Sequence, residues 1–346
     1  MHIVTKAVTK TTVPLLLALG VAMAAPAAWS DQRNVDRTFD VNPGGRLTVD
    51  AEGGDVTVTG ADSKQVVVHV SATASASALE GMTISAEPTA DGVAVIVKRN
   101  ATHWLGGLLK SGSEDIRVNV TVPRRYSADL RSSGGDLTVG KLQGNATGRT
   151  SGGDIVVTDI EGAVRMNTSG GDVKIESVRG DVDAKTSGGD IHAQSVRGNL
   201  EAHTSGGTVR AEQVSGSVKL GSSGGDVLAD GITGPIAART TGGDVRLEKI
   251  DGAIQANTSG GEIGVELVGA NRGIDVSTSG SDIFLQLPSA VTATVDASAG
   301  SGKVKSELPI TGLLDGKSKV QGTINGGGEP IRARTSGGDI VLQAKR

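Results

Sequence analysis

The 346-residue chain carries 52 glycines, five aromatic side chains (two Trp, two Phe, one Tyr), no cysteine and a formal charge of −4. So few aromatics exclude one thick globular core; the apolar residues are mostly Val, Ala and Ile, which suit thin, regularly stacked strands. Without cysteine there are no disulfides and no lipidated cysteine anchor, and mild acidity without a basic cluster argues against nucleic acid as a partner.

Residues 1–30 have the form of a secretory signal. Lys6 and Lys10 precede an apolar run over 13–24, and Ala25-Pro26-Ala27 and Ala28-Trp29-Ser30 offer small-residue cleavage sites. Cleavage is expected after Ser30, with Ala27 as the alternative. The run is shorter than the ~20 apolar residues that span a bilayer. No later segment is long or apolar enough, so the mature chain is expected to have no transmembrane span. It is expected in the periplasm, elsewhere in the cell envelope, or outside the cell. Removing Lys6 and Lys10 moves the formal charge from −4 to −6.

Residues 31–131 lack a fixed period yet alternate apolar and polar residues over 46–50, 55–59, 66–70, 92–98 and 115–122. Repeat arrays need atypical terminal units to cover open edges, and this region is expected to be the N-terminal β cap. One insert, residues 103–110 with His103, Trp104 and Leu105, breaks the alternation. It either folds over an open end of the core or touches a partner through Trp104 and Leu105.

From 132 to 287 the chain repeats. Ser-Gly-Gly-Asp stands at Ser133, Ser151, Ser169, Ser187 and Ser223, and variants begin at Ser205, Thr241 and Ser259, every step being 18 residues. Inside one unit, Val173 and Ile175 alternate with polar residues, and Val182 and Ala184 do so again after Gly180. The unit therefore reads strand, corner, strand, corner. Stacked units give inward columns, one from Leu137 to Ile263 and another from Leu142 to Ile250. A further column of Thr or Ser (Thr150 to Thr258) closes each unit, as hydroxyls bonded within the turn. The expected fold is all-β, a parallel β-solenoid with two strands per 18-residue coil. A left-handed β-helix would need apolar residues at Arg179 and Lys185. A calcium β-roll would need Gly-Gly twice per unit, and an ice-binding face would need Thr-x-Thr on a flat side. After Asp282 the period loosens, and 288–346 is expected to hold irregular coils and a final repeat over 331–343.

The opening Phe39-Asp-Val-Asn-Pro-Gly-Gly45, the strand ending Val120-Thr-Val-Pro123, the Ser-Gly-Gly-Asp coils and the closing Thr335-Ser-Gly-Gly-Asp-Ile-Val-Leu342 resemble a bacterial family of β-strand-repeat proteins. That family is a domain of unknown function whose members are labelled "putative adhesins". The resemblance spans essentially all of the mature chain. It implies a β-solenoid envelope protein without an established reaction and carries over no site residues.

Chemical motifs are scarce. Asp136, Asp154, Asp172, Asp190, Asp226 and Asp244 would stack in a column and are the candidate cation ligands, although each coil offers one carboxylate where calcium takes 6–8 oxygens. The simpler expectation is that each Asp bonds its own glycine corner and that no metal or cofactor is held. The five histidines show no metal spacing, and neither a nucleophile elbow nor a phosphate loop occurs. Coils of constant length leave no loops to build the cleft that a glycan-active β-helix enzyme needs. The function expected is non-enzymatic: an adhesin-like or scaffold protein, expected to be monomeric, with an envelope protein or glycan as partner. The alternatives are a periplasmic sensor or stress-associated scaffold and, less favoured, a glycan-active enzyme.

Overall fold

The computed structural model describes residues 31–99, 115–315 and 317–345; the expected export signal (1–30) and the segment with Trp104 and Leu105 lie outside them. The chain forms a 15-stranded and a 16-stranded sheet, and the strands of successive repeats pair in parallel. The parallel β-solenoid expected from the repeat is the fold.

One coil explains the rest. The longer strand Val173–Arg179 lies in the first sheet and the shorter strand Val182–Lys185 in the second. Val173, Ile175, Val178, Val182 and Ala184 all point inward and are at most 3% exposed. The next coil repeats this without slip: Val173 pairs with Ile191, Ile175 with Ala193 and Val178 with Val196. Both inward columns foreseen from the repeat are buried along their full length. Column volumes also compensate. Gly148 faces inward beside Met166, and a Cβ there would lie 2.6 Å from the Met166 sulfur.

The spacing of inward residues within the long strand is two, then three: Val173, Ile175, Val178. The additional residue, Ser177, adopts a left-handed conformation (φ 58°) and is skipped by the ladder between Glu176 and Val178. Lys141, Asp159, Ser195, Gln213, Gly231 and Lys249 do the same in their coils, with φ between 52° and 68°. A column of outward bulges, each in register with the next, therefore runs along the regular length of the first sheet.

The two corners are closed differently. At the short corner Gly180 has φ 156° and Gly198 has φ 154°. A Cβ on Gly198 would stand 2.4 Å from the Gly180 carbonyl oxygen of the preceding coil. At the Ser-Gly-Gly-Asp corner the second glycine is the crowded one. Its backbone is not left-handed, but a Cβ on Gly189 would fall 2.2 Å from the Gly171 oxygen. The buried threonine before this turn links coils as well as closing the turn. Thr204 Oγ1 donates to the Gly189 carbonyl of the coil below (2.8 Å) and accepts from Gly207 N–H of its own turn (3.3 Å).

The ends depart from chain order. The N-terminal strands are β1 (Asp31–Asp40), β2 (Arg46–Ala51), β3 (Asp55–Ala61), β4 (Gln65–Ala74), β5 (Met82–Thr89), β6 (Gly92–Arg99), β7 (Asp115–Pro123), β8 (Ser127–Ser132) and β9 (Leu137–Leu142). β2 and β3 already form a coil, paired in parallel with β8 and β9. β6 and β7 stack on its outer side, and antiparallel strands finish that end: β4 then β1 on one sheet, β5 on the other. The C-terminal end mirrors this. The final repeat (Pro330–Thr335, Ile340–Lys345) inserts beside the coil ending at Pro288. The earlier strands Ala293–Ala299 and Val304–Ser306 stack outside it, under an antiparallel pair. Thus antiparallel strands close both sheets at the N-terminal tip and the second sheet at the C-terminal tip, as edge protection requires, while the first sheet ends there on the short parallel strand Val304–Ser306.

Candidate functional site

Because coils stack in register from Leu137 to Glu248, with a first shift only after Leu247, outward side chains of the first sheet form straight columns about 4.8 Å apart per step. The position after the first core residue holds Lys174, His192, Arg210, Leu228 and Arg246; two residues on stand Glu176, Gln194, Glu212, Asp230 and Glu248. The columns neutralise one another locally. Lys174 pairs with Glu176 at 2.9 Å, Arg210 with Glu212 at 3.3 Å, and Lys249 of the bulge column reaches Asp230 at 3.1 Å. The hydrogen bond and charge of Lys174 hold Glu176 below the usual carboxylate range. Asp230 likewise holds the Lys249 ammonium above the usual lysine value.

The bulges hollow this face. A groove of about 290 Å³ runs between Asp159, Ser177 and Ser195 on one wall and Glu161, Arg179 and Arg197 on the other. Arg179 and Arg197 stand opposite each other on neighbouring strands. Arg179 is paired with Glu161 at 2.9 Å, while Arg197 has no ion pair among the described residues. Two like charges side by side repel, so this wall favours an acceptor. Two further hollows of about 250 and 130 Å³ lie further along the same sheet, around Glu266 and Phe284 and around Arg210 and Asp230.

The aspartate column behaves otherwise than expected. Each Oδ1 accepts the backbone N–H of the corresponding residue in the next coil, not of its own turn. Asp154 N–H donates to Asp136, Asp172 to Asp154, Asp190 to Asp172, Thr208 to Asp190, Asp244 to Asp226 and Glu262 to Asp244, all at 2.7–2.8 Å. One oxygen of every carboxylate is thereby committed to holding coils together, which offsets the repulsion along the column. Among the described residues no group of three or more His, Cys, Asp or Glu is placed to hold a metal. His192 and His203 lie on strands of opposite sheets.

Two features were not foreseen. The bulge column has a signature in the two-then-three spacing of inward residues, which strict alternation overlooks. Tyr126, the only tyrosine of the chain, is fully buried at the N-terminal tip, and its hydroxyl has no hydrogen-bond partner among the described residues. A lone aromatic in so aromatic-poor a chain was the available signal. Leaving a buried hydroxyl unpaired costs about 1–3 kcal/mol.

Comparison with curated proteins found no match. Solved structures similar to this chain include a "putative adhesin" of Parabacteroides distasonis (11% identity, 90% of this chain and 97% of that one, TM-score 0.30). Another is a "putative adhesin" of Bacteroides fragilis (12%, 90% and 97%, 0.26). A third is a "putative lipid binding protein" of Parabacteroides distasonis (11%, 90% and 95%, 0.28). None of the three is described as an enzyme. At these TM-scores the likeness carries no argument, and kinship rests on sequence. The family model Toastrack DUF4097, a domain of unknown function, matches residues 45–230 and again 180–343. Together these matches take in nearly all of the described residues, so the chain belongs to the Toastrack DUF4097 family.

Proposed function

We propose that the protein is a non-enzymatic, exported binding protein of the bacterial envelope, adhesin-like in action, which grips an extended partner along the outer face of its first sheet. The observation that carries this reading is the set of three shallow hollows along the outer face of the first sheet, edged by columns of charged residues. Several shallow sites in a row on a rigid sheet suit a long ligand held by many weak contacts. Catalysis calls for a concave site that closes off water, and the hollows of this face are shallow. Expected partners are an acidic envelope glycan or an envelope protein, with export through residues 1–30 and residence in the periplasm or on the cell surface.

The test uses purified residues 31–346 immobilised and challenged with fractionated envelope glycans. Retention should weaken as salt rises, because the contacts are exposed charges. It should also drop at least several-fold in the double variant Arg179→Glu, Arg197→Glu, while Arg239→Glu on the opposite sheet leaves it unchanged. Equal retention by all three proteins would refute the assignment of the face. Reproducible cleavage of the glycans would refute the non-enzymatic reading.

A further inference from the structure

The segment Phe39 to Gly45, one of the stretches on which the family resemblance rests, does more than lead from β1 into β2. With the turn between β5 and β6 and with Tyr126 it lines a half-open cavity of about 590 Å³. That is larger than any hollow on the sheet face and falls in the range of small-molecule sites. Two glycines make room for the tyrosine. A Cβ on Gly45 would lie 2.6 Å from the Tyr126 ring, and one on Gly92, besides striking the Arg46 carbonyl oxygen, would lie 2.6 Å from its hydroxyl oxygen. The hydroxyl is thus set under Gly92 at the cavity floor, fully buried and unpartnered among the described residues. Buried phenols normally find a partner, so the site is chemically incomplete.

The walls say what would complete it. No lysine or arginine lines the cavity. Asp40 and Asp91 supply carboxylates, Asn42 an amide, and Phe39 and Pro43 apolar surface. Asp40 Oδ1 accepts from Gln65 (2.8 Å) and Asp91 Oδ1 from Thr89 (3.2 Å), which leaves the second oxygen of each carboxylate open to a ligand. Asn42 and the Tyr126 hydroxyl can each both donate and accept. An ammonium could donate to their oxygens and to both carboxylates, but it would leave the Tyr126 O–H and the Asn42 N–H without an acceptor. A ligand bearing several hydroxyls on an apolar frame could satisfy all four polar groups. Burial, and then the nearby Asp91 charge, raise the Tyr126 phenol above its ordinary pKa, which keeps it neutral and able to play both parts.

We propose that this cavity binds a neutral sugar residue, packed on Phe39 and Pro43, with hydroxyls donating to Asp40 and Asp91 and pairing with Tyr126. The turn at Ala90 and Asp91 is exposed and is the part that shifts to admit the ligand to the hydroxyl. The site is remote in chain and in stacking order from the Arg179–Arg197 groove and does not rest on the reading of that face.

The sole tyrosine makes the test direct. Protein labelled with fluorotyrosine gives one ¹⁹F resonance, followed while glucose, galactose and N-acetylglucosamine are titrated in turn, with choline as a separate arm. Calorimetry on unlabelled protein repeats each titration. A saturable shift with at least one sugar and none with choline is expected. Asp91→Asn and Tyr126→Phe should each weaken that sugar about tenfold in calorimetry, the loss of one charge-assisted or buried hydrogen bond. Both variants should melt no lower than wild type, since Asp91 is exposed and the phenol is unpartnered. Arg179→Glu should bind the sugar normally, so that failure of the sheet-face reading stays separate. The proposal is overturned if no sugar moves the resonance, if choline alone does, or if both variants bind sugar as wild type does.

Discussion

The two glycines of one corner allow a sharp test of how the coils are held. Gly188 and Gly189 are neighbours in the same exposed turn, and neither has a left-handed backbone. Alanine at Gly189 would put its Cβ 2.2 Å from the Gly171 carbonyl oxygen and 2.6 Å from the Asp172 carboxylate. The backbone contact cannot be relieved by a rotamer change, so the two coils must separate locally. Overpacking of this kind costs about 1–3 kcal/mol. Separation also strains the Thr186 bond to the Gly171 carbonyl and the Asp190 N–H bond to Asp172, at about 1 kcal/mol each. The expected loss is about 3–5 kcal/mol. Alanine at Gly188 would meet only the Gly170 oxygen at 3.3 Å and looser contacts beyond. A shift of a few tenths of an ångström relieves that, and the stiffer unfolded chain returns about 0.4–1 kcal/mol. Gly188→Ala should therefore stay within about 1 kcal/mol of wild type. Urea unfolding followed by far-UV circular dichroism measures both, with the slope checked because stacked repeats can unfold in parts. Losses within 1 kcal/mol of each other would show that close approach of successive coils is not what demands glycine here.

Three further outcomes are expected. Gly198→Val should destabilise by several kcal/mol, through its φ of 154° and the 2.4 Å approach to Gly180. Asn199→Val should cost only about 1 kcal/mol, the loss of the hydrogen bond its side chain accepts from Ser217 N–H; chemical denaturation of the pair decides, and equal losses would misplace the corner. For Tyr126, burial and then Asp91 favour the neutral phenol in the folded state. Its contribution to stability is therefore complete below the unfolded value near pH 10 and is lost as pH rises through the higher folded value. Absorbance titration of the single tyrosine should give a later midpoint in native protein than in urea, and coincident midpoints would contradict the burial. Calcium should leave the fold unmoved, since the Asp column is already bonded to backbone N–H groups; a large rise in melting temperature in millimolar calcium over EDTA would show ion sites along it.

Much of the molecule was legible in the residues alone. The 18-residue step, the two strands per coil, the inward columns and the glycine corners each leave a local mark, because one coil repeats the same side-chain pattern at the same place. Val173, Ile175, Val178, Val182 and Ala184 face inward for reasons contained within a single unit: apolar residues at strand spacing have one side to bury. Close stacking then explains the second glycine of each turn, since a parallel ladder leaves no space for a Cβ there.

Other features needed the folded chain. Asp172 could be read as bonding its own turn or the next coil, and only the stacked backbone shows that Asp190 N–H is the donor it meets. Strand alternation over residues 46–61 reads the same whether the segment is a cap or a coil. Its place between β6–β7 and β8–β9 is a choice among long-range pairings that no local pattern encodes. The same holds for the final repeat, which ends the chain but not the stack. Tyr126 is the extreme case. Its hydroxyl is orphaned, and a cavity opens beside it, because β1, the turn before β6 and the start of β8 converge from sequence positions far apart. Periodicity fixes what each coil buries, and tertiary pairing alone decides what the two ends bring together.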